Sequence, residues 1–209
     1  MTVTYGHCHV CCRGSLRIVA HPDDDLVFQS PDLIHSTRSG ECSTTVYMTS
    51  GDAGYGTAYA FSREEGIRTA YAWMANTTSD GFRRGTMIIG GHPVIIDTLQ
   101  RGHPQIQLIW LRLPDGNIDG SGYDATNRTS LLSLFLGDVG SITDITETTS
   151  YTLISLQTML LLLILARGPE VIAILDYLSS DGDHSDHFVS ARMVKAAIED
   201  VRLPGRLVR

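Results

Sequence analysis

The chain has little that would carry it to a nucleic acid or through a membrane. Its 16 lysines and arginines are outnumbered by 23 aspartates and glutamates, a formal charge of −7, and no basic cluster interrupts the excess. Phosphate backbones are bound largely through basic side chains that release counterions, so nucleic acid is excluded as a main partner. No apolar run approaches the ~20 residues needed to span a bilayer. The most apolar stretch, Met159 to Ala166 (MLLLLILA), reads as a helix buried inside a domain, with peripheral lipid contact as the minor alternative. The N-terminus lacks the charged-then-apolar pattern of a secretory signal, which suggests a cytoplasmic protein. Cysteine is scarce: Cys8, Cys11, Cys12 and Cys42. Three of them crowd the segment HCHVCC beside His7 and His9, but no second ligand pair follows at a structural-zinc spacing. Free thiols in a reducing compartment are the expectation.

What is present is ordinary globular material, 43% hydrophobic and 19% charged, in 209 residues that suffice for one domain spanning 1–209. Four nearly continuous apolar runs, LRIVA (16–20), TTVYMT (44–49), IQLIWLRL (106–113) and EVIAILDY (170–177), read as strands covered on both faces. Helical patterns lie between them: Ser62 to Ala75, with Ser62 as cap and Glu65 completing a capping box, then Ser155 to Ala166, then Asp186 to Asp200. This alternation predicts an α/β, Rossmann-like three-layer domain with a mainly parallel sheet. Ligands in such domains sit at the carboxyl ends of the strands. Polar clusters follow all four runs there: HPDDD (21–25), SGDAGYG (50–56), PDGNIDG (114–120) and SSDGDHSDH (179–187). The stretch 121–152 reads as an insertion across that rim, its LLSLFL (131–136) offering an apolar surface to a substrate.

Two of the clusters combine histidine with carboxylates. Imidazole plus carboxylate suits zinc, and three protein ligands with one open position define a hydrolytic site. His21 and Asp24 are three apart in a turn and can face one side; a third ligand comes from HSDH, where His184 and His187 share one side of a helix start. One of that pair can bind the metal while the other faces the substrate.

Ala20-His21-Pro22-Asp23-Asp24 resembles the AHPDDE signature of the PIG-L/LmbE-like N-acetylglucosaminyl deacetylases, and His184-Ser185-Asp186-His187 is similar to that family's HPDH motif. Gly51-Asp52-Ala53-Gly54 resembles its GExG turn, Arg63-Glu64-Glu65 its R-x-E helix start and Pro114-Asp115-Gly116 its PDG turn. The likeness runs in order from about residue 16 to 200, with a closer similarity to the glycopeptide-antibiotic sugar deacetylases of the teicoplanin type. It implies one zinc ion held by His21, Asp24 and His187, with Asp23 as general base and acid and His184 stabilising the oxyanion. Asp186 would orient a histidine, Arg63 and Asp115 would contact sugar hydroxyls, and the substrate would be an acetylated small-molecule glycoside, an antibiotic precursor with a bulky hydrophobic aglycone. Asp25 stands where the family has a longer glutamate and would steady the turn. Ser185 replaces a proline, and the family usually continues beyond this helix, so substrate contacts from a C-terminal segment would be missing or replaced. Two alternatives remain: a magnesium-dependent phosphatase, which also places paired acids after a first strand, and an inactive glycan- or lipid-binding module.

Overall fold

A computed structural model describes residues 14–100, 102–178, 182–199 and 206–208. The chain runs β1 (Gly14–Val19), α1 (Asp24–Phe28), α2 (Asp32–Arg38), β2 (Cys42–Thr49), α3 (Thr57–Met74), β3 (Phe82–Ile89), β4 (His92–Leu99) and β5 (Ile106–Leu113). It continues through α4 (Leu131–Leu136), β6 (Ile142–Thr143), β7 (Ser150–Tyr151), α5 (Leu153–Arg167), β8 (Val171–Ile174), α6 (Ser185–Glu199) and β9 (Arg206–Val208). Seven strands form one sheet in the order β3-β4-β5-β2-β1-β8-β9. Parallel pairing joins β5, β2, β1, β8 and β9, while β3 and β4 add an antiparallel hairpin at one edge. The expected mixed α/β three-layer fold with a mostly parallel sheet is what forms.

The four expected strands are β1, β2, β5 and β8. Residues of β1, β2 and β5 are almost wholly buried because helices pack on the sheet, α2 against β2 and α3, and α6 against β1, α4 and α5, while β8 alternates buried Ile172 and Ile174 with half-buried Val171 and Ala173. The β3–β4 hairpin was not expected. β3 is an edge strand whose Arg83, Arg84, Gly85 and Thr86 are exposed, so it shows no apolar run. Its signal was the Gly90-Gly91 pair, both at positive φ, between MII and PVII.

Three other expectations need correction. α3 does not start at a Ser62 cap but at Thr57, because the Asp52 carboxylate accepts the Gly56 N–H and the turn feeds straight into helix-forming residues. Glu65 pairs with Arg68 instead of capping. LLSLFL forms α4, and its Leu131 and Leu134 are core residues, leaving Leu136 exposed, so this segment offers a substrate little apolar surface. Cys42 is disulfide-bonded, which runs against the expected reducing compartment. The HCHVCC segment lies outside the described residues.

The apolar run 159–166 belongs to α5, which buries Leu156, Met159, Leu160, Leu163 and Ile164 in the core. Its N-terminus carries a reciprocal capping box between Thr152 and Ser155, two residues ahead of the expected start. Among the described residues, no helix is long and apolar enough to cross a membrane.

Candidate metal centre

The polar clusters converge at the carboxyl ends of the parallel strands. β1 ends at Val19, and the chain turns at once: the His21 carbonyl accepts the Asp23 N–H, and the Asp24 carboxylate accepts the His21 N–H at 2.7 Å. This turn folds Asp24 back beside the His21 ring. From the far end of the sequence, α6 begins at Ser185 and presents His187 from its first turn. His21 Nδ1 and His187 Nε2 lie 3.2 Å apart, His187 Nε2 is 3.2 Å from Asp24 Oδ1, and His21 Nδ1 is 3.5 Å from Asp24 Oδ2.

Those separations suit a cation. Ligand atoms about 2.0–2.1 Å from a tetrahedral ion lie about 3.3–3.4 Å from one another. The outer nitrogens are already engaged: His21 Nε2 is 3.2 Å from Asp186 Oδ2, and His187 Nδ1 is 2.8 Å from Asp183 Oδ1. With N–H on those outer atoms, His21 Nδ1, His187 Nε2 and the Asp24 carboxylate turn three sets of lone pairs on one point. Such a convergence is repulsive unless a proton or a metal fills it. His21, Asp24 and His187 therefore form a group able to hold a metal ion. His21, Asp115, His184 and Asp186 form an adjoining group that shares His21.

The titration of these residues has the same origin. Burial works against charge on His21, but its hydrogen bonds to Asp186 and Asp24 prevail and raise it to about 10. Burial likewise opposes the Asp24 carboxylate, which His187 and His21 nevertheless hold far below the usual range. His187 is raised, with Asp24 overcoming burial, whereas burial and the neighbouring His21 lower His184. The cage favours positive charge on His21 and His187 and disfavours it on His184.

Asp23 stands apart from the cage. Its side chain is 53% exposed, and Arg63 Nη2 pairs with Asp23 Oδ1 at 2.6 Å. The same guanidinium donates to the Gly51 carbonyl at 2.6 Å and the Pro22 carbonyl at 3.3 Å, clamping the HPDD turn to the GDAG turn. Gly51, at φ +55, has no room for a Cβ beside that guanidinium. Arg63 thus engages Asp23 and the loops, where a sugar contact was expected. Asp115 is also committed: its carboxylate accepts the Ala53 and Asn117 N–H groups and lies 3.6 Å from His184 Nε2. Asp186 accepts the Gly116 N–H at 2.8 Å beside its contact with His21. Asp25 is fully buried away from the cage, where Tyr47 and Tyr71 donate to it at 2.9 and 2.6 Å. Burial outweighs those two donors and lifts its carboxyl to about 6.

Two contributors escaped the sequence reading. Asp183 fixes His187, and its signal was its place one turn before that histidine. Asp52 gathers Ser50, Gly56 and Asp115 and so joins two of the rim loops; its signal was its place in the GDAG turn, to which no role was given.

A three-layer α/β domain with a His/Asp cluster able to hold a metal at its strand ends has the form of a hydrolytic enzyme of the metal-assisted kind. The chain belongs to the PIG-L family, GlcNAc-PI de-N-acetylase, whose profile matches residues 16–198. Members of that family are deacetylases and hence hydrolases. No curated protein matches the chain significantly.

Proposed function

We propose that the protein is a zinc-dependent N-deacetylase that removes acetyl from an N-acetylglucosaminyl conjugate. The observation that carries this reading is the convergence of His21 Nδ1, His187 Nε2 and the Asp24 carboxylate beside an accessible, clamped Asp23. Two imidazoles among three donors favour zinc over magnesium, which prefers an all-oxygen shell, and so speak against the phosphatase alternative. Bound there, zinc would supply a water acidified towards neutrality and a Lewis acid for the acetyl oxygen.

The chain's own residues do the rest. Asp23 takes the proton of the attacking water on its carboxylate and returns it to the departing sugar amine. Arg63 fixes the Asp23 carboxylate for both transfers. His184 turns towards the acetyl oxygen and donates a hydrogen bond as the carbonyl carbon becomes tetrahedral. For that it must carry a proton on the ring nitrogen facing the substrate; Asp115, 3.6 Å from His184 Nε2, helps to orient the ring. Asp186 and Asp183 fix the His21 and His187 rings. Family membership supports the amide class and the acetylated sugar. A bulky hydrophobic aglycone, such as that of a glycopeptide antibiotic precursor, suits the exposed Tyr55 and Tyr59 beyond β2 and Ile118 beyond β5. The test is acetate release by Asp23→Asn: the variant is expected to keep its metal and lose turnover by about 10²–10⁴-fold. Turnover near that of the wild type would remove Asp23 from its role.

A further inference from the structure

The rim is tied to α6 through a residue that the metal cage does not use. Ser185 is the first residue of that helix and is only 1% exposed. The N–H groups of a helix's first turn find no partner within the helix. Ser185 donates its N–H to the Ile118 carbonyl at 2.9 Å, and its Oγ donates to the Asn117 carbonyl at 2.7 Å. Both acceptors belong to PDGNIDG (114–120), the loop that leaves β5.

That loop is otherwise folded on itself. Asn117, at φ +63, turns the chain so that its Oδ1 accepts the Ile118 N–H and its carbonyl accepts the Gly120 N–H. The Gly122 N–H returns to the Gly116 carbonyl, and Ser130 Oγ donates to the Gly120 carbonyl. A third bond to the helix runs from the Gly116 N–H to Asp186 Oδ2 at 2.8 Å.

Loop and helix each carry a group that faces the centre. On the helix side, His184 Nδ1 accepts the Asp186 N–H at 3.2 Å, which puts the proton of the neutral ring on Nε2. On the loop side, Asp115 Oδ1 lies 3.6 Å from that Nε2. This is beyond hydrogen-bond reach, so the Nε2–H is not spent on Asp115. The same ring stands edge-on to His21, with 4.4 Å between centroids.

We propose that Ser185 is a positioning residue: it locks the 114–120 loop to α6 so that the His184 Nε2–H is aimed at the acetyl oxygen. The proposal rests on the deacetylase reading and adds how its oxyanion donor is held. Two donors on adjacent carbonyls fix both the height and the rotation of the loop against the helix, where one bond would leave a hinge. A donor that swings out of line weakens the transition state more than the bound substrate, because the acetyl oxygen gains its charge only as the carbon becomes tetrahedral. The loss therefore falls on kcat and spares KM.

Proline separates this role from the helix itself. At the first helical position it fits the backbone and lacks only an N–H that the helix does not need. Ser185→Pro thus removes both bonds, and Ser185→Ala removes the Oγ bond alone. The experiment measures acetate release from methyl and octyl N-acetylglucosaminide by both variants, each alone and combined with His184→Ala, with bound metal and Tm followed throughout. The kcat is expected to fall about 3- to 10-fold in Ser185→Ala and about 10- to 100-fold in Ser185→Pro. KM should stay within about twofold and the metal content at the wild-type level. In the His184→Ala background, Ser185→Pro should change kcat by less than about twofold, since Ser185 acts through His184. An unchanged kcat in Ser185→Pro, a loss that multiplies the loss of His184→Ala, or a loss that comes with lost metal would overturn the positioning role and leave the deacetylase standing. Failure of the metal-loaded wild type to release acetate from either probe would overturn the deacetylase reading and this role with it.

Discussion

Two of the places where the molecule buries charge are built oppositely. On the hairpin side, Glu64 of α3 and Asp97 of β4 are enclosed by arginines. Arg112 grips Glu64 through Nε and Nη2 at 2.6 and 2.9 Å, and Arg84 joins Glu64 to Asp97. Asp97 also accepts from Arg68 and from Trp110 Nε1. Both oxygens of each carboxylate are filled, and the cations come from the chain itself. At the strand ends, by contrast, Asp24 and two histidines aim lone pairs at a common point, and no lysine or arginine among the described residues pairs with Asp24. Buried charge that the chain completes is structural; buried charge that it leaves open is where an outside ion belongs.

Breaking the open cluster should destroy function, and breaking the closed one should destroy stability. The largest effect is expected from His187→Ala or His21→Ala: loss of bound metal, measured by elemental analysis of the purified protein, and acetate release at background. Asp183→Asn sharpens the point, because it leaves the ligand set intact. It should weaken metal affinity by about 10–100-fold through the loosened His187 ring, read by competition against a chelator.

Glu64→Gln should leave metal stoichiometry unchanged and lower unfolding free energy by about 3–5 kcal/mol in a denaturant titration, since it strands Arg112 in a buried site. Arg112 is held at φ +55, a conformation costly for arginine, so the pair also fixes the end of β5 from which the PDG turn departs. The smallest effect is in the acid limb. Burial pushes the Asp97 carboxyl up, but the Arg84 ion pair prevails and holds it below its ordinary 3.8. A depressed acid contributes stability that is present above its unfolded value and is lost as pH falls through the lower folded one. The stability gap between wild type and Asp97→Asn should therefore narrow below about pH 4 in unfolding curves taken across pH.

The contrast also explains what the sequence could disclose. HPDDD and HSDH are each contiguous, each follows an apolar strand run, and the parallel-sheet rule sends both to one rim, so the candidate centre is legible in the sequence. The closed network was not. Glu64, Arg84, Asp97 and Arg112 stand on α3, β3, β4 and β5, and two of those strands belong to a hairpin whose exposed edge hides its pattern. Asp25 teaches the same lesson on a smaller scale: its place next to Asp24 suggested a part in steadying the turn, but the tyrosines that hold it come from β2 and α3. Roles set by one short motif could be read; roles set by packing between distant elements could not. Arg63 shows the boundary, since its motif drew attention to it while only the fold shows it clamping Asp23.

The most direct test of the open cluster is a zinc titration of chelator-stripped protein, with acetate release from an N-acetylglucosaminyl conjugate followed at each addition. The account predicts no release before zinc is added, then activity rising in proportion to bound ion and ending at one ion per chain, with His187→Ala flat throughout. Full acetate release by the stripped protein, or stoichiometric zinc binding that His187→Ala leaves untouched, would contradict it.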